Sequence, residues 1–378
     1  MKVGIPKEIR EGETRVALVP AMVSVLTKME HEVLVQKGAG ESASFADEAY
    51  EQAGAQLVDD AAKLYEQADV VLKVQAPTVE EAKQIKEGGV YVGFLAPLAN
   101  PDVVRVLAER KVTAFALEFV PRISRAQSMD ALSAMATVAG YKAVLLAANM
   151  VGKMFPLLMT AAGTIPPANV LVLGAGVAGL QAIATARRLG ARVEAFDPRP
   201  AVREQVQSLG ATFIEMELPE EDVETEGGYA KEQSEAFLKK EQEAIAGRLS
   251  RMDVVVTTAQ IFGKRAPLLI TEEMVKLMPE GAAIIDLAAE QGGNCELTEA
   301  GKTVEKHGVK IYGAVNLPAM VPVHASQMYS KTVTNLFKQL FKDQTLNFED
   351  EITLKACITR DGEVVNELIA SALKEGGR

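Results

Sequence analysis

The run NVLVLGAGVAGLQAIATARRLGARVEAFD, residues 169–197, constrains the fold of this 378-residue chain more than any other stretch. An apolar strand runs straight into G-A-G-V-A-G. The glycines open a segment of helical period, and a second apolar strand follows and ends on an acid. A strand that turns at once into a helix and returns as another strand is a βαβ unit, and such units build parallel sheets with helices on both faces. Each glycine has its own reason. Gly174 permits the tight turn. Gly176 lets the backbone come close to a pyrophosphate, which the amides of the helix N-terminus can bind. Gly179 allows the helix to lie against the strand. Asp197 stands 18 residues after Gly179. A carboxylate there accepts hydrogen bonds from adenosine ribose hydroxyls and repels a 2′-phosphate, so the pattern favours NAD(H) over NADP(H), a preference that nearby Arg199 weakens slightly.

The same alternation fills the rest of the chain. Residues 2–6, 32–36, 69–74, 90–95 and 113–120 read as short buried strands, and 20–29, 46–53, 60–67, 79–86 and 100–110 carry helical periodicity between them. A long helical pattern spans about 128–152. Strand-like runs resume at 170–173, 192–196, 212–214, 253–257, 282–286 and 310–312, and the chain beyond about 325 reads as helical. This spacing predicts an α/β fold of two doubly wound, Rossmann-like parallel-sheet domains linked by long helices. The first is expected to be discontinuous, 1–133 plus 326–378, and the second to cover 134–325. Residues 215–247 break the pattern. They are rich in Glu and Lys, with Gly227, Gly228 and Tyr229 in the middle. They read either as a solvated insertion with a surface helix or as a mobile loop near 222–240, with glycine hinges and Tyr229 at its tip.

Composition sets outer limits. A chain 48% apolar and 24% charged is globular and long enough for two cores. A net charge of −11, with no basic cluster longer than two residues, disfavours nucleic-acid partners. Cys295 and Cys357 lie 62 residues apart. They offer neither metal-ligand spacing nor a disulfide framework, so no metal is expected and a reducing compartment is the natural reading. The N-terminal MKVGIPKE enters a strand pattern directly, and no signal peptide is expected. The most apolar region, 131–168, is interrupted by Lys142, Lys153, Pro156, Pro166 and Pro167. That falls short of a membrane span of roughly 18 or more apolar residues. A buried helix is expected there, with no direct membrane insertion.

The catalytic inventory is thin. His31 leads into a strand, His307 sits in a turn before one, and His324 is a polar residue at a helix start near a domain crossing. No Ser/His/Asp order, nucleophile elbow or Cys cluster is present, and the cysteines read as small buried hydrophobes. One stretch is crowded with polar groups. PRISRAQSMDALS, 121–133, carries Arg122, Ser124, Arg125, Gln127, Ser128, Asp130 and Ser133. Composition alone makes it a solvated turn. Its place after a parallel strand, at the carboxyl edge where such sheets bind ligands, makes it a candidate site.

These motifs resemble those of the NAD(H)-binding subunit, domain I, of proton-translocating NAD(P) transhydrogenases, and are similar to those of alanine dehydrogenases. The landmarks are IPKEIREGETRVALVP at 5–20, PRISRAQSMD at 121–130, TAAGTIPPANVLVLGAGVAGLQAIATARRLGA at 160–191, GGYAKE at 227–232, LITEEMVKLMPEGAAIIDLAAEQGGN at 269–294 and AVNLPAMVP at 314–322. The resemblance implies residue roles. Arg122, Gln127, Asp130 and Ser133 would contact the nicotinamide and its carboxamide as the catalytic positions, with Ser124 and Arg125 in the same cofactor-binding loop. Gly174, Gly176, Val177 and Gly179 would carry the pyrophosphate, and Asp197, Pro198 and Arg199 the adenosine end. Gly228 and Tyr229 match a loop that closes over the cofactor. Ala259 and Gln260 would cover adenine, with Gln260 standing where the family pattern is apolar.

The resemblance further implies a homodimer docked on the cytoplasmic face of the membrane through partners. Those are a membrane-spanning chain and a chain holding NADP(H), with NAD(H) held here. Residues also separate the two relatives. Arg15 and Lys73 match positions that hold pyruvate in alanine dehydrogenases, but VGFLAPLANP has Ala96 where those enzymes place a catalytic histidine. Oxidising an amine or reducing an imine moves protons and needs a positioned acid/base. Hydride exchange between two nicotinamides moves none at the reacting carbons and needs close, aligned rings. Three readings follow: transhydrogenase subunit first, alanine dehydrogenase second, and a non-catalytic NAD(H)-sensing module third.

Overall fold

A computed structural model describes residues 1–215, 234–261 and 263–375. The chain divides into two compact units, Met1–Met135 with Pro318–Arg378, and Ala136–Leu317. Each is built on its own sheet, and the expected α/β class with two Rossmann-like parallel sheets is what the chain adopts.

In the first unit the strands lie in the order Glu363–Val364, Cys357–Arg360, Thr113–Ala116, Val90–Gly93, Val70–Leu72, Lys2–Ile5, Glu32–Gln36, Gln56–Val58. In the second the order is Thr212–Phe213, Arg192–Phe196, Asn169–Leu173, Val254–Thr257, Ala283–Asp286, Val309–Gly313, Thr303–Lys306. Counted along the chain within each unit, both sheets centre on the arrangement 3-2-1-4-5. The central strands are buried on both faces, as parallel strands under helices must be. In both, the strand order reverses between strands 1 and 4. A crevice opens there outside the carboxyl ends, where ligands of doubly wound sheets bind.

Several expectations need correction. The C-terminal region is not all helical. After the helix Pro322–Leu340 the chain makes a small hairpin, then adds Cys357–Arg360 and Glu363–Val364 antiparallel to the edge of the first sheet. Gln56–Val58 is an additional edge strand, three residues long. The run at 113–120 is strand only to Ala116 and continues as a 3₁₀ turn, Leu117–Phe119. The helix Ala131–Met150 is half-buried and not a buried core helix. It is the one described helix long and apolar enough to cross a membrane, with 39% of its apolar window buried. His31 does not sit at an exposed strand edge. Its ring is packed edge-on to Phe337 at 5.2 Å and is 7% exposed.

Candidate functional site

The glycine turn of the second unit has the geometry its sequence requires. Gly174 has φ +93°, and a Cβ there would lie 2.6 Å from Thr258 Oγ1. A Cβ on Gly179 would lie 1.9 Å from the Gly174 carbonyl oxygen, so only glycine lets the helix Val177–Arg188 close on the preceding strand. A Cβ on Gly176 would meet nothing nearer than an Arg199 guanidinium nitrogen at 4.0 Å. The space over Gly176 is therefore open backbone at a helix N-terminus, whose first amides have no acceptor within the helix. A pyrophosphate fits that cradle by size and by charge. Val177, the first helical residue, is 38% exposed beside it.

Asp197 follows the strand Arg192–Phe196 and is 4% exposed. One carboxylate oxygen accepts from Ala175 N–H at 2.7 Å, which ties the acid to the glycine turn. Arg199 donates to Asp197 from its backbone N–H at 2.9 Å and from Nε and a terminal nitrogen at 2.8 Å each. Pro198, between them, is half-buried. Across the crevice, Thr258 Oγ1 donates to the Gly174 carbonyl at 3.0 Å. Asn294 holds both sides of the Ala259 backbone, at 3.1 and 2.9 Å. Gln260 is exposed, and its amide donates to the Leu287 carbonyl at 2.9 Å. The fold thus brings Gly174, Gly176, Val177, Gly179, Asp197, Pro198, Arg199, Ala259 and Gln260 to one end of one sheet. Gly228 and Tyr229 lie outside the described residues.

The polar loop belongs to the first unit. Residues Ser124–Met129 form a 3₁₀ helix whose apolar side, Ala126 and Met129, is buried, while Arg122, Ser124, Arg125 and Gln127 are exposed. Asp130 accepts from Ser133 N–H at 2.8 Å and Ser133 Oγ at 2.6 Å, which starts the helix Ala131–Met150. The Asn335 side-chain amide donates to the Ser128 carbonyl at 3.1 Å. Arg125 is turned to the helix Glu351–Ala356, donating to Asp350 at 2.6 and 3.0 Å and to Glu351 at 3.3 Å.

Sequence reasoning missed what fills the first unit's crevice. Lys73, 1% exposed, donates to Glu81 at 2.7 Å and lies 3.4 Å from Glu8. Tyr65 also donates to Glu81, at 2.8 Å. Arg15 donates to Glu13 at 2.8 and 2.6 Å, and the Gln75 amide donates to Glu13 at 2.7 Å. Burial pushes the Glu8 carboxyl up, against the pull of Lys73. For Glu13, burial also pushes up, but the Arg15 bonds outweigh it and hold the carboxyl at about 2. Ala96 is exposed with φ +42°, and its N–H donates to Glu118 at 2.7 Å. Nothing there titrates near neutral pH on the side chain itself. His307 pairs with Glu272 at 2.8 Å, His324 is exposed in a helix's first turn, and both cysteines are free and buried. Burial pushes their thiols up to about 11 for Cys295 and about 12 for Cys357, so neither is a ready nucleophile. Among the described residues no group of His, Cys, Asp and Glu could hold a metal ion.

Two family models match the chain in order: alanine dehydrogenase/PNT, N-terminal domain, over residues 4–139, and alanine dehydrogenase/PNT, C-terminal domain, over 143–367. The chain is 52% identical over 376 residues to the first portion of NAD(P) transhydrogenase subunit alpha of Rhodospirillum rubrum, a separate chain there, covering 97% of this chain and 98% of that one. It is 32% identical over 383 residues to the alanine dehydrogenase of Bacillus subtilis, covering 99% and 95%. Among solved structures, a transhydrogenase from Sinorhizobium meliloti superimposes with a TM-score of 0.89 at 41% identity, covering 97% of this chain and all of that one. An L-alanine dehydrogenase gives 0.84 at 27%, covering 99% of each. Matched by both domain models and nearly end to end by a transhydrogenase alpha chain, this chain belongs to the alanine dehydrogenase/PNT family, on its NAD(P) transhydrogenase side.

Proposed function

We propose that the chain is the NAD(H)-binding subunit of a proton-translocating NAD(P) transhydrogenase, passing hydride from NADH to NADP⁺ held on a partner chain. The observation that carries this over the dehydrogenase reading is Ala96. The position after the strand Val90–Gly93 offers a backbone N–H tied to Glu118 and no side-chain acid or base. Amine oxidation needs such a group and ring-to-ring hydride exchange does not. Arg15 and Lys73, the two cations that could favour pyruvate, are buried against this chain's own carboxylates.

The dinucleotide supplies the hydride chemistry when bound. The chain's residues do the holding. Gly176 and the amides from Val177 onward take the pyrophosphate, and Asp197, Pro198 and Arg199 take the adenosine ribose. Ala259 and Gln260 lie toward adenine, and Gly228 and Tyr229 belong to the covering loop. Arg122, Gln127, Asp130 and Ser133 orient the nicotinamide, with Ser124 and Arg125 shaping their loop. The two domains are 1–133 with 326–378, and 134–325. The half-exposed apolar helix Ala131–Met150 supports a homodimer, and the relatives' subunit names support a membrane-spanning partner and peripheral attachment to the cytoplasmic face. The test mixes the purified chain with an NADP(H)-binding transhydrogenase subunit and follows hydride exchange between labelled NADH and NADP⁺. Exchange is expected. No exchange, with robust NADH oxidation by pyruvate and ammonium, would establish the dehydrogenase instead.

A further inference from the structure

The buried stripe of the helix Glu235–Leu249 reads Phe237, Glu241, Ile245, Leu249. Four-residue spacing puts all of them on one face. Three are core hydrophobes at 0% exposure, and the other is a carboxylic acid left 4% exposed. An acid at a core position is costly unless something uses it. The charged group that acts on Glu241 is Asp197, at the adenosine end of the nucleotide crevice. Burial first, and that neighbour second, push the Glu241 carboxyl up to about 8. The other charged groups on surrounding elements are occupied with one another. Glu194 pairs with Arg248 and Arg251, Arg203 with Glu215, and Glu272 with His307. Arg199 closes on Asp197, with a guanidinium nitrogen 4.0 Å from where a Cβ on Gly176 would stand. A dinucleotide taking the ribose and pyrophosphate positions must therefore draw Asp197 and Arg199 partly off each other.

We propose that Glu241 is a positioning residue of the nucleotide site. As a neutral acid it leaves Asp197 and Arg199 able to exchange their mutual bonds for bonds to the dinucleotide, and as a carboxylate it locks Arg199 onto the acids and weakens binding. The charge count gives the reason. With Glu241 neutral, one carboxylate faces one guanidinium. With Glu241 ionised, two negative charges share that cation, so moving it costs more, and an incoming diphosphate meets net negative charge. The inference rests on NAD(H) being the ligand of this crevice.

The test is an NADH titration of the full chain, read by nicotinamide fluorescence between pH 6.5 and 9.5. The wild-type dissociation constant is expected to rise about tenfold from pH 7 to 9.5, the behaviour of one coupled group titrating within that range. Glu241→Gln, which mimics the neutral acid, and Glu241→Met, which completes the apolar stripe, should flatten the profile to within about twofold. Glu243→Gln, on the same helix, should keep the wild-type profile. A residue that only stabilised the helix would shift affinity equally at every pH. Variants that track the wild type across the range overturn the proposal while leaving NADH binding in place. Failure of every protein to bind NADH at pH 7 overturns it together with the cofactor assignment.

Discussion

The two units share the strand order 3-2-1-4-5 at their centres and yet use the same crevice in opposite ways. In the second unit the crevice is lined by backbone. Gly174, Gly176 and Gly179 keep side chains out, and Asn294 fixes the facing Ala259. In the first unit the equivalent space holds Glu8, Glu13, Arg15, Lys73 and Glu81, joined in buried ion pairs. One crevice spends its donors on a ligand and the other on itself. A topological switch point is thus a permissive geometry, and the side chains decide whether it stays open.

Breaking the filled crevice should have the largest effect. Lys73→Met leaves Glu8 and Glu81 facing each other without their cation, and should lower unfolding free energy by about 3–5 kcal/mol in urea titrations. A loss below about 1 kcal/mol would mean the cluster is wet and not sealed. Gly179→Ala strikes the open crevice at its hinge. Its methyl would stand 1.9 Å from a carbonyl oxygen, so both stability and NADH binding should fall together, by several-fold or more in affinity. Acid should separate the two regions further. Glu13 is held at about 2 against an ordinary 4.5, so its stabilisation is complete above pH 4.5 and is lost as pH falls toward 2. That amounts to roughly 3 kcal/mol. Glu13→Gln should remove this component of the acid dependence in pH-resolved melting. The smallest effect on the ground state is expected in the polar loop. Gln127→Asn should slow hydride exchange more than tenfold while changing NADH affinity by less than about threefold, because the group aligns a ring and does not anchor the cofactor.

The open crevice was legible in the sequence and the filled one was not. Gly174, Gly176, Gly179 and Asp197 act within one βαβ unit, so local spacing carries their meaning. Glu8, Arg15, Lys73, Glu81 and Tyr329 come from distant stretches of the chain, and no local pattern announces that Tyr329 donates to the Lys73 carbonyl at 2.6 Å. The edge strands Gln56–Val58 and Cys357–Arg360 escaped for a related reason. Each is three or four residues long, and its pairing is settled by the sheet it joins. Glu241 was hidden in a Glu- and Lys-rich run that reads as solvated, although its four-residue register with Phe237 and Ile245 marks a buried face.

The central claim, that the dinucleotide occupies the second unit's crevice, is tested most directly by NADH titration of Gly176→Ala beside the wild type. A Cβ there finds 4.0 Å of space and an ordinary negative φ, so the fold should be kept, with stability within about 0.5 kcal/mol of wild type. The methyl stands where a pyrophosphate must approach the backbone, so the account predicts at least a tenfold rise in the NADH dissociation constant with an unchanged melting temperature. An unchanged dissociation constant in that folded variant would contradict it.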